Sequence, residues 1–464
     1  MHFTRAALLL SAIAAACASD ADALATLQGA IPLPGVTDAE GIRKLDHAAF
    51  FGTLLFIAAK ENNTIAVIDT TSNTFVTSLG PISLPQGVAV TQGGLVCAAS
   101  ADGVMAWAAT PPFAWQWSAP VGPDADNVRV DDAAGLLWVA HGGGATLGLI
   151  TPLNSSTGAP VELPLVIDVG RNHPEEFNLS PITRWLSVSV PADAGGAVLL
   201  ADRSAGGIPL ATWPGSDSTW QRPSAQRQDS TGTRLYVATA GSDALPPQVI
   251  VLNALDGTLL WATPTQGGCD SVRSRIAAPS SATPFLFLPA PSPFPAFLHP
   301  PPPLLRTQIA VDEEGGLIFV ACGGPASAYY ILQATAFDAL TGAATAWSSL
   351  GALTTAPPPG TLNSRGLAWQ ASTRTLYTLV PYAAMGNATP AQGAAVLMLG
   401  IALPAGRGPA GAASAPASSA LSTAGVVGIA LACAMAGALL AGLATRSLCA
   451  PKAEEEHPAY SNIN

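Results

Sequence analysis

The stretch LLFIAAKENNTIAVIDTTSNTFVTSL, from Leu54 to Leu79, decides the fold. Three apolar runs, LLFIAA, TIAVID and TFVTSL, are separated by the polar turns KENN and TTSN. Short runs rich in Ile, Val, Thr and Phe between Asn, Asp and Ser turns read as antiparallel β-strands. Three such strands cannot cover their own faces, so the unit must stack against others.

The first run recurs as LVCAAS from Leu95, LLWVAH from Leu136, WLSVSV from Trp185, RLYVAT from Arg234, LIFVAC from Leu317 and TLYTLV from Thr375. Most copies continue through a turn into runs such as GAVLLAD or PQVIVLN, and then a third run such as TLLWAT. A short segment before each copy, for example QGVAV or DNVRV, supplies a fourth strand. Four strands per unit, repeated seven times at about 40–50 residues, predict an all-β, seven-bladed β-propeller of four-stranded antiparallel blades. Each blade then buries its faces against two neighbours, and the closed ring leaves no bare end. ATLQGAIPLPGV, beginning at Ala25, reads as a lone outer strand able to complete the last blade.

The spacing between the fifth and sixth copies is widened by a Pro-rich stretch, residues 274–306. Proline is excluded from central strands, so this segment reads as an insertion in blade six, with a degenerate eighth blade as the alternative.

Both ends carry secretory and membrane signals. Residues 1–18 combine Arg5, an apolar run and the Ala16-Cys17-Ala18 cleavage pattern of a signal peptide. The propeller ectodomain spans 24–404, followed by an Ala/Gly/Ser/Pro stalk at 405–420. Residues 421–445 are uncharged and long enough for a transmembrane α-helix, which needs about 20 apolar residues. Arg446 and Lys452 follow it, so the positive-inside rule makes 446–464 a cytoplasmic tail. The expected topology is type I, by the secretory pathway to the cell surface or an endomembrane, with the ectodomain extracellular or lumenal. Asn62, Asn154, Asn178 and Asn387 each open an N-x-Ser/Thr triplet and are the glycosylation candidates. Three cysteines, Cys97, Cys269 and Cys322, remain outside; one bridge and one buried thiol is the simplest arrangement, with the pairing open.

Composition removes some functions. The chain has 464 residues, a net charge of −11 and only 11% charged residues, with no Lys/Arg cluster, so nucleic acid is not an expected partner. No zinc-ligand pair, nucleophile elbow or phosphate-binding loop is present in the sequence. The ten tryptophans fall mainly in predicted strands and read as packing between blades.

NNTIAVIDTTSNTFVTSL followed by LPQGVAV resembles the YVTN-type β-propeller repeat. KLDHAAFF, DNVRVDDAAGLLWVAHG, HPEEFNLS, TRLYVAT and CDSV resemble successive blades of the exported YVTN/NHL-like repeat proteins, within the wider WD40-like class. The likeness runs from about Leu45 to Trp347. It implies a propeller and is nearly silent on activity, since function on this fold belongs to the site.

Polar residues recur where the chain enters the innermost strands: Asp46 and His47, Asp126 and Asn127, His173 and Glu175, Asp270, and Arg365. In a propeller these positions crowd one mouth of the central channel and form a candidate ligand site. The resemblance implies similar Asp-His, His-Pro-Glu and Arg positions. Asp and Asn in front of a strand also cap their own turns, which is the competing explanation. If the site holds a divalent cation, His47, His173, Glu175 and Asp270 form its mixed nitrogen/oxygen ligand set. No catalytic residue is singled out. The leading expectation is a module that binds a protein or small-molecule ligand; the alternative is a hydrolase or oxidoreductase with its site at the channel mouth.

Overall fold

The computed structural model describes residues 25–34, 45–142, 148–161, 167–168, 174, 176–191, 196–203, 209–216, 219–241, 245–265, 307–313, 316–322, 328–337, 344–354, 366–380 and 394–402. The expected signal peptide, the Pro-rich segment 274–306, the stalk, the span at 421–445 and the tail lie outside them. Among the described residues no helix is long and apolar enough to cross a membrane.

These residues form seven four-stranded antiparallel sheets. The opening stretch supplies strands 2–4 of blade 1, Leu54–Ala59, Thr64–Asp69 and Thr74–Leu79, behind an inner strand Leu45–Phe51. The inner strands of blades 2 to 7 are Val88–Val90, Val128–Asp131, Glu176–Leu179, Pro223–Gln228, Thr307–Asp312 and Gly366–Gln370. Each is followed by the strand that carries the repeated apolar run. The outer strand of blade 7 is Ala25–Pro32, which pairs antiparallel with Ala395–Ile401. The first described strand therefore completes the last blade, as its isolated position in the sequence suggested. Residues 266–306 fall between the outer strand of blade 5 and the inner strand of blade 6.

The core is divided into seven parts, one at each blade-to-blade junction. Period-2 geometry makes this division. In Leu54–Ala59, Leu55, Ile57 and Ala59 face blade 7, while Phe56 and Ala58 face blade 2. All five are fully buried. A strand between two neighbouring blades has no wet side, so it reads as a continuous apolar run. The outer strand Thr74–Leu79 alternates exposed and partly covered residues, as a strand with one solvated face should.

Tryptophans Trp107, Trp117, Trp138 and Trp213 from outer and middle strands, and Trp220 from the connection between blades 4 and 5, are buried in these junctions, whereas Trp115 is exposed. Gly257 shows how close the packing is. It sits at φ +75° in a blade 5 turn, and a Cβ there would come 2.3 Å from the Trp213 ring of blade 4. Both the left-handed backbone and the indole require glycine.

Polar staples cross the same junctions on the face where the inner strands end. Asp132 accepts a hydrogen bond from Gln92 N at 2.8 Å, tying blade 3 to blade 2. Arg203 pairs with Asp131 and donates to Thr183 O at 2.7 Å. Glu313 accepts from Ser230 N at 2.7 Å, and Arg374 lies 3.7 Å from Asp312. Ring closure uses Gln370, which donates to Thr70 Oγ1 at 3.3 Å, and an edge-to-face contact of Phe50 on Tyr377.

Cys97 is a buried free thiol whose pKa burial pushes up to about 12, so it packs as a small apolar group. Asn62 ends a short 3-10 helix and Asn154 ends the strand Gly148–Asn154, both partly exposed. Asn178 is different: it is buried in blade 4 and its amide donates to Gln226 O of blade 5 at 2.7 Å. That position is closed to a glycan in the folded blade. Asn387 lies outside the described residues.

Candidate functional site

The seven inner strands surround a cavity of about 460 Å³ on the propeller axis, and every blade contributes to its wall. Strand register explains both the space and the charges in it. The residue paired with the third position of each repeated run is Ala49, Ala89, Arg129, Asn178, Arg227, Ala310 and Ala368 in blades 1 to 7. Four alanines leave the axis open, and two arginines of the same repeat position extend into it. Two residues nearer the strand start stand His47 and Glu176, also in the wall. Val88, Val128, Ile309 and Leu367 also border it, but their side chains are buried in the blade-to-blade cores, so the exposed wall is mainly polar.

Arg129 is held by an ion pair with Glu176 of blade 4, by Val128 O at 2.8 Å and by the Phe177 ring, 5.7 Å from its guanidinium carbon. The other Glu176 oxygen accepts from Gln226 N of blade 5 at 3.1 Å. Gln226 returns two amide hydrogen bonds, to Glu176 O at 2.8 Å and Ser187 O at 2.9 Å. Blades 3, 4 and 5 are thus locked together at the cavity wall.

A second chain joins blades 1 to 3. His47 N donates to Gln86 O at 3.3 Å, and Gln86 Nε2 donates to Asp124 Oδ1 at 2.9 Å. His47 Nδ1 lies 2.9 Å from Asp46 Oδ1. Burial by itself disfavours the imidazolium. The adjacent Asp46 carboxylate, by charge and hydrogen bond, together with Glu176, outweighs that and the opposing Arg129 charge. The His47 pKa therefore lies above its ordinary 6.5.

Arg227 is held differently from Arg129. Its side chain is exposed at the cavity wall, and its guanidinium makes no hydrogen bond and no contact ion pair with any described residue. Desolvation and then the nearby Arg129 charge pull its pKa down, while Glu176 and Glu313 act through space in the other direction. An arginine stays charged even so.

Of the candidates expected from sequence, His47 lines the cavity. Asp46, Asp126 and Asn127 are buried where their strands begin, behind that lining. The Asp126 and Asn127 backbones pair with Ala140, through Asp126 N to Ala140 O at 2.8 Å and Ala140 N to Asn127 O at 2.9 Å. His173, Glu175, Asp270 and Arg365 lie outside the described residues. So do three of the four proposed metal ligands; among the described residues no three His, Cys, Asp or Glu side chains gather to hold a metal. Glu176, Arg129 and Arg227 were not singled out from the sequence. Aligning the blades on the repeated run would have placed both arginines at one repeat position.

No family model and no curated protein sequence matches the chain. Solved structures do match its shape. A chain of hydrazine synthase from Kuenenia stuttgartiensis aligns with a TM-score of 0.51 and 13% identity, over 76% of this chain and 95% of that one. A chain of the mitotic checkpoint complex aligns with a TM-score of 0.53 and 10% identity, over 80% and 91% respectively. At such identities the likeness is one of fold: this is a seven-bladed β-propeller, an architecture that can serve as a protein-binding module.

Proposed function

We propose that the chain is a single-pass type I membrane protein whose propeller binds a ligand in its axial cavity. The observation that carries this reading is the convergence on one cavity of His47, Arg129, Glu176 and Arg227, from four different blades. Ligand sites are typically concavities of about 300–1,000 Å³ on which a few polar groups converge. The YVTN-like repeat pattern is consistent with an exported protein, and residues 1–18 and 421–445 supply the leader and the anchor. The propeller then lies outside the cell or in a lumen, carried on the stalk at 405–420.

The full chain, purified from a native membrane extract, tests the binding role. A small molecule should co-purify with the wild type and be released by organic extraction. Ala310→Phe, which fills the cavity from blade 6, should abolish it while the melting transition is retained. Equal extracts from the two proteins would contradict the reading. Resistance of the chain to alkaline extraction, lost when 421–445 is deleted, is the expected result for the anchor.

A further inference from the structure

The junction between blades 4 and 5 departs from the repeat at three positions at once. Ser187 is the third residue of its repeated run, where blades 1, 3, 5, 6 and 7 carry the rings of Phe56, Trp138, Tyr236, Phe319 and Tyr377. Ser189 is the fifth, where blades 1, 2, 3, 5 and 6 carry Ala58, Ala99, Ala140, Ala238 and Ala321. Gln226 takes an inner-strand position that is Ala48, Val88, Val128, Phe177, Ile309 or Leu367 in the other blades. The third and fifth residues of a run face the next blade, as Phe56 and Ala58 do, so both serines face blade 5. Gln226 pairs with Val237, whose side chain lies in the core between blades 4 and 5, so it faces back toward them. All three residues are at most 5% exposed. A serine where five blades hold a ring leaves room in a closely packed junction, and the Asn178 amide beside it takes only part of that room.

Gln226 Nε2 donates to two main-chain carbonyls, Glu176 O at 2.8 Å and Ser187 O at 2.9 Å. Carbonyls accept only, so this end of the amide must be the nitrogen, and Oε1 is left as an acceptor. Gln226 Oε1, Ser187 Oγ and Ser189 Oγ are buried and make no hydrogen bond with any described residue. Three polar atoms in one seam, at positions where the repeat is apolar, would each carry a full desolvation penalty. We infer that this seam binds an internal water, which accepts from the two serine hydroxyls and donates to Gln226 Oε1. Three hydrogen bonds are the usual number for a buried water. A cation suits the place less, because all three oxygens are neutral and the Glu176 carboxylate already serves Arg129 and Gln226 N. The water fixes the Gln226 amide, which in turn holds blade 5 against Glu176 at the wall of the axial cavity. The inference stands whatever that cavity binds.

The sign of a stability change tests this in the full chain. A buried hydroxyl without a partner is a burden, so its removal leaves stability unchanged or raises it. A hydroxyl that holds a shared water is an asset. Ser187→Ala and Ser189→Ala should therefore each lower the melting temperature, by about 1–2 °C. The double variant should lose less than the sum, because either single change already weakens the same water. Both substitutions keep the Ser187 carbonyl that Gln226 uses, so the lock between the blades stays in place. A crystal structure of the wild-type chain supplies the second reading. It should show one density peak within about 3.2 Å of Ser187 Oγ, Ser189 Oγ and Gln226 Oε1. No peak there, or melting temperatures that are unchanged or higher in both variants, would overturn the inference. Strictly additive losses would overturn the shared water. A melting temperature that rises when sodium or potassium chloride replaces choline chloride at constant ionic strength, and does so only with both serines present, would replace the water with a cation.

Discussion

Glu176 is the residue on which the cavity wall depends most. It neutralises Arg129 from blade 4 and receives the Gln226 N–H from blade 5, so one carboxylate joins three blades. Glu176→Gln removes the charge and leaves Arg129 facing the cavity unpaired. We expect a loss of about 2 kcal/mol, below the figure for a fully buried pair because both side chains keep some solvent contact; a denaturant midpoint measures it. His47 sets the pH response. Its folded pKa lies above the ordinary value, so its contribution to stability is complete below about pH 6.5, its unfolded pKa. The contribution is lost as pH rises through the higher folded pKa. Melting temperatures of the wild type should therefore fall on going from pH 6 to pH 8, and His47→Gln should flatten that slope. Parallel slopes would show that the Asp46, Glu176 and Arg129 charges around His47 do not act as described. At this scale the sequence was partly legible. His47 stood out because a histidine at a strand start is conspicuous. Glu176 did not, because nothing in HPEEF singles it out from its neighbour in the sequence. Arg129 in NVRV and Arg227 in SAQRQ looked like ordinary exposed positions on alternating strands.

At the scale of single strands, burial on one face or two separates the repeat into functional layers. Strands two and three of a blade lie between neighbours and are buried on both faces, with apolar runs at their centres, as LLFIAA and TIAVID show. Outer strands alternate. This difference was hidden in the sequence, where both kinds are short, β-branched and bounded by turns. What the sequence could show was their number and order, because a strand of six residues between Asn and Gly turns leaves little choice of length. Phe56 is fully buried at the junction of blades 1 and 2, against Phe113 at 6.4 Å between ring centroids. Phe56→Ala should cost about 3–5 kcal/mol, mostly as cavity. Ser78→Ala, on the exposed outer strand of the same blade, should change stability by less than about 0.5 kcal/mol. Equal effects would mean that the blades do not pack face to face.

The whole ring depends on a contact between distant parts of the chain. Ala25–Pro32 is the outer strand of blade 7, and Ile31 and Leu33 enter the core between blades 7 and 1. At the same junction Gly366 lies so close to blade 1 that a Cβ would stand 2.5 Å from Asp46 O. Deleting 25–34 should lower the melting temperature and broaden the transition, because blade 7 loses its outer strand and the Ile31 and Leu33 side chains that it buries. Gly366→Ala should act in the same direction with every strand still present. Repeat counting made the ring readable in the sequence, since seven units can bury their faces only by closing. The axial cavity was not readable in the same way, because it arises from residues of one repeat position lying on different blades. Hydrogen–deuterium exchange of the full chain, with and without the small molecule that co-purifies with it, tests that convergence most directly. Ligand should protect the inner strands of blades 1, 3, 4 and 5 together, at residues 45–51, 128–131, 176–179 and 223–228, and leave the outer strands unchanged. Protection confined to one blade or to the rim, or none at all, would contradict a ligand site on the axis.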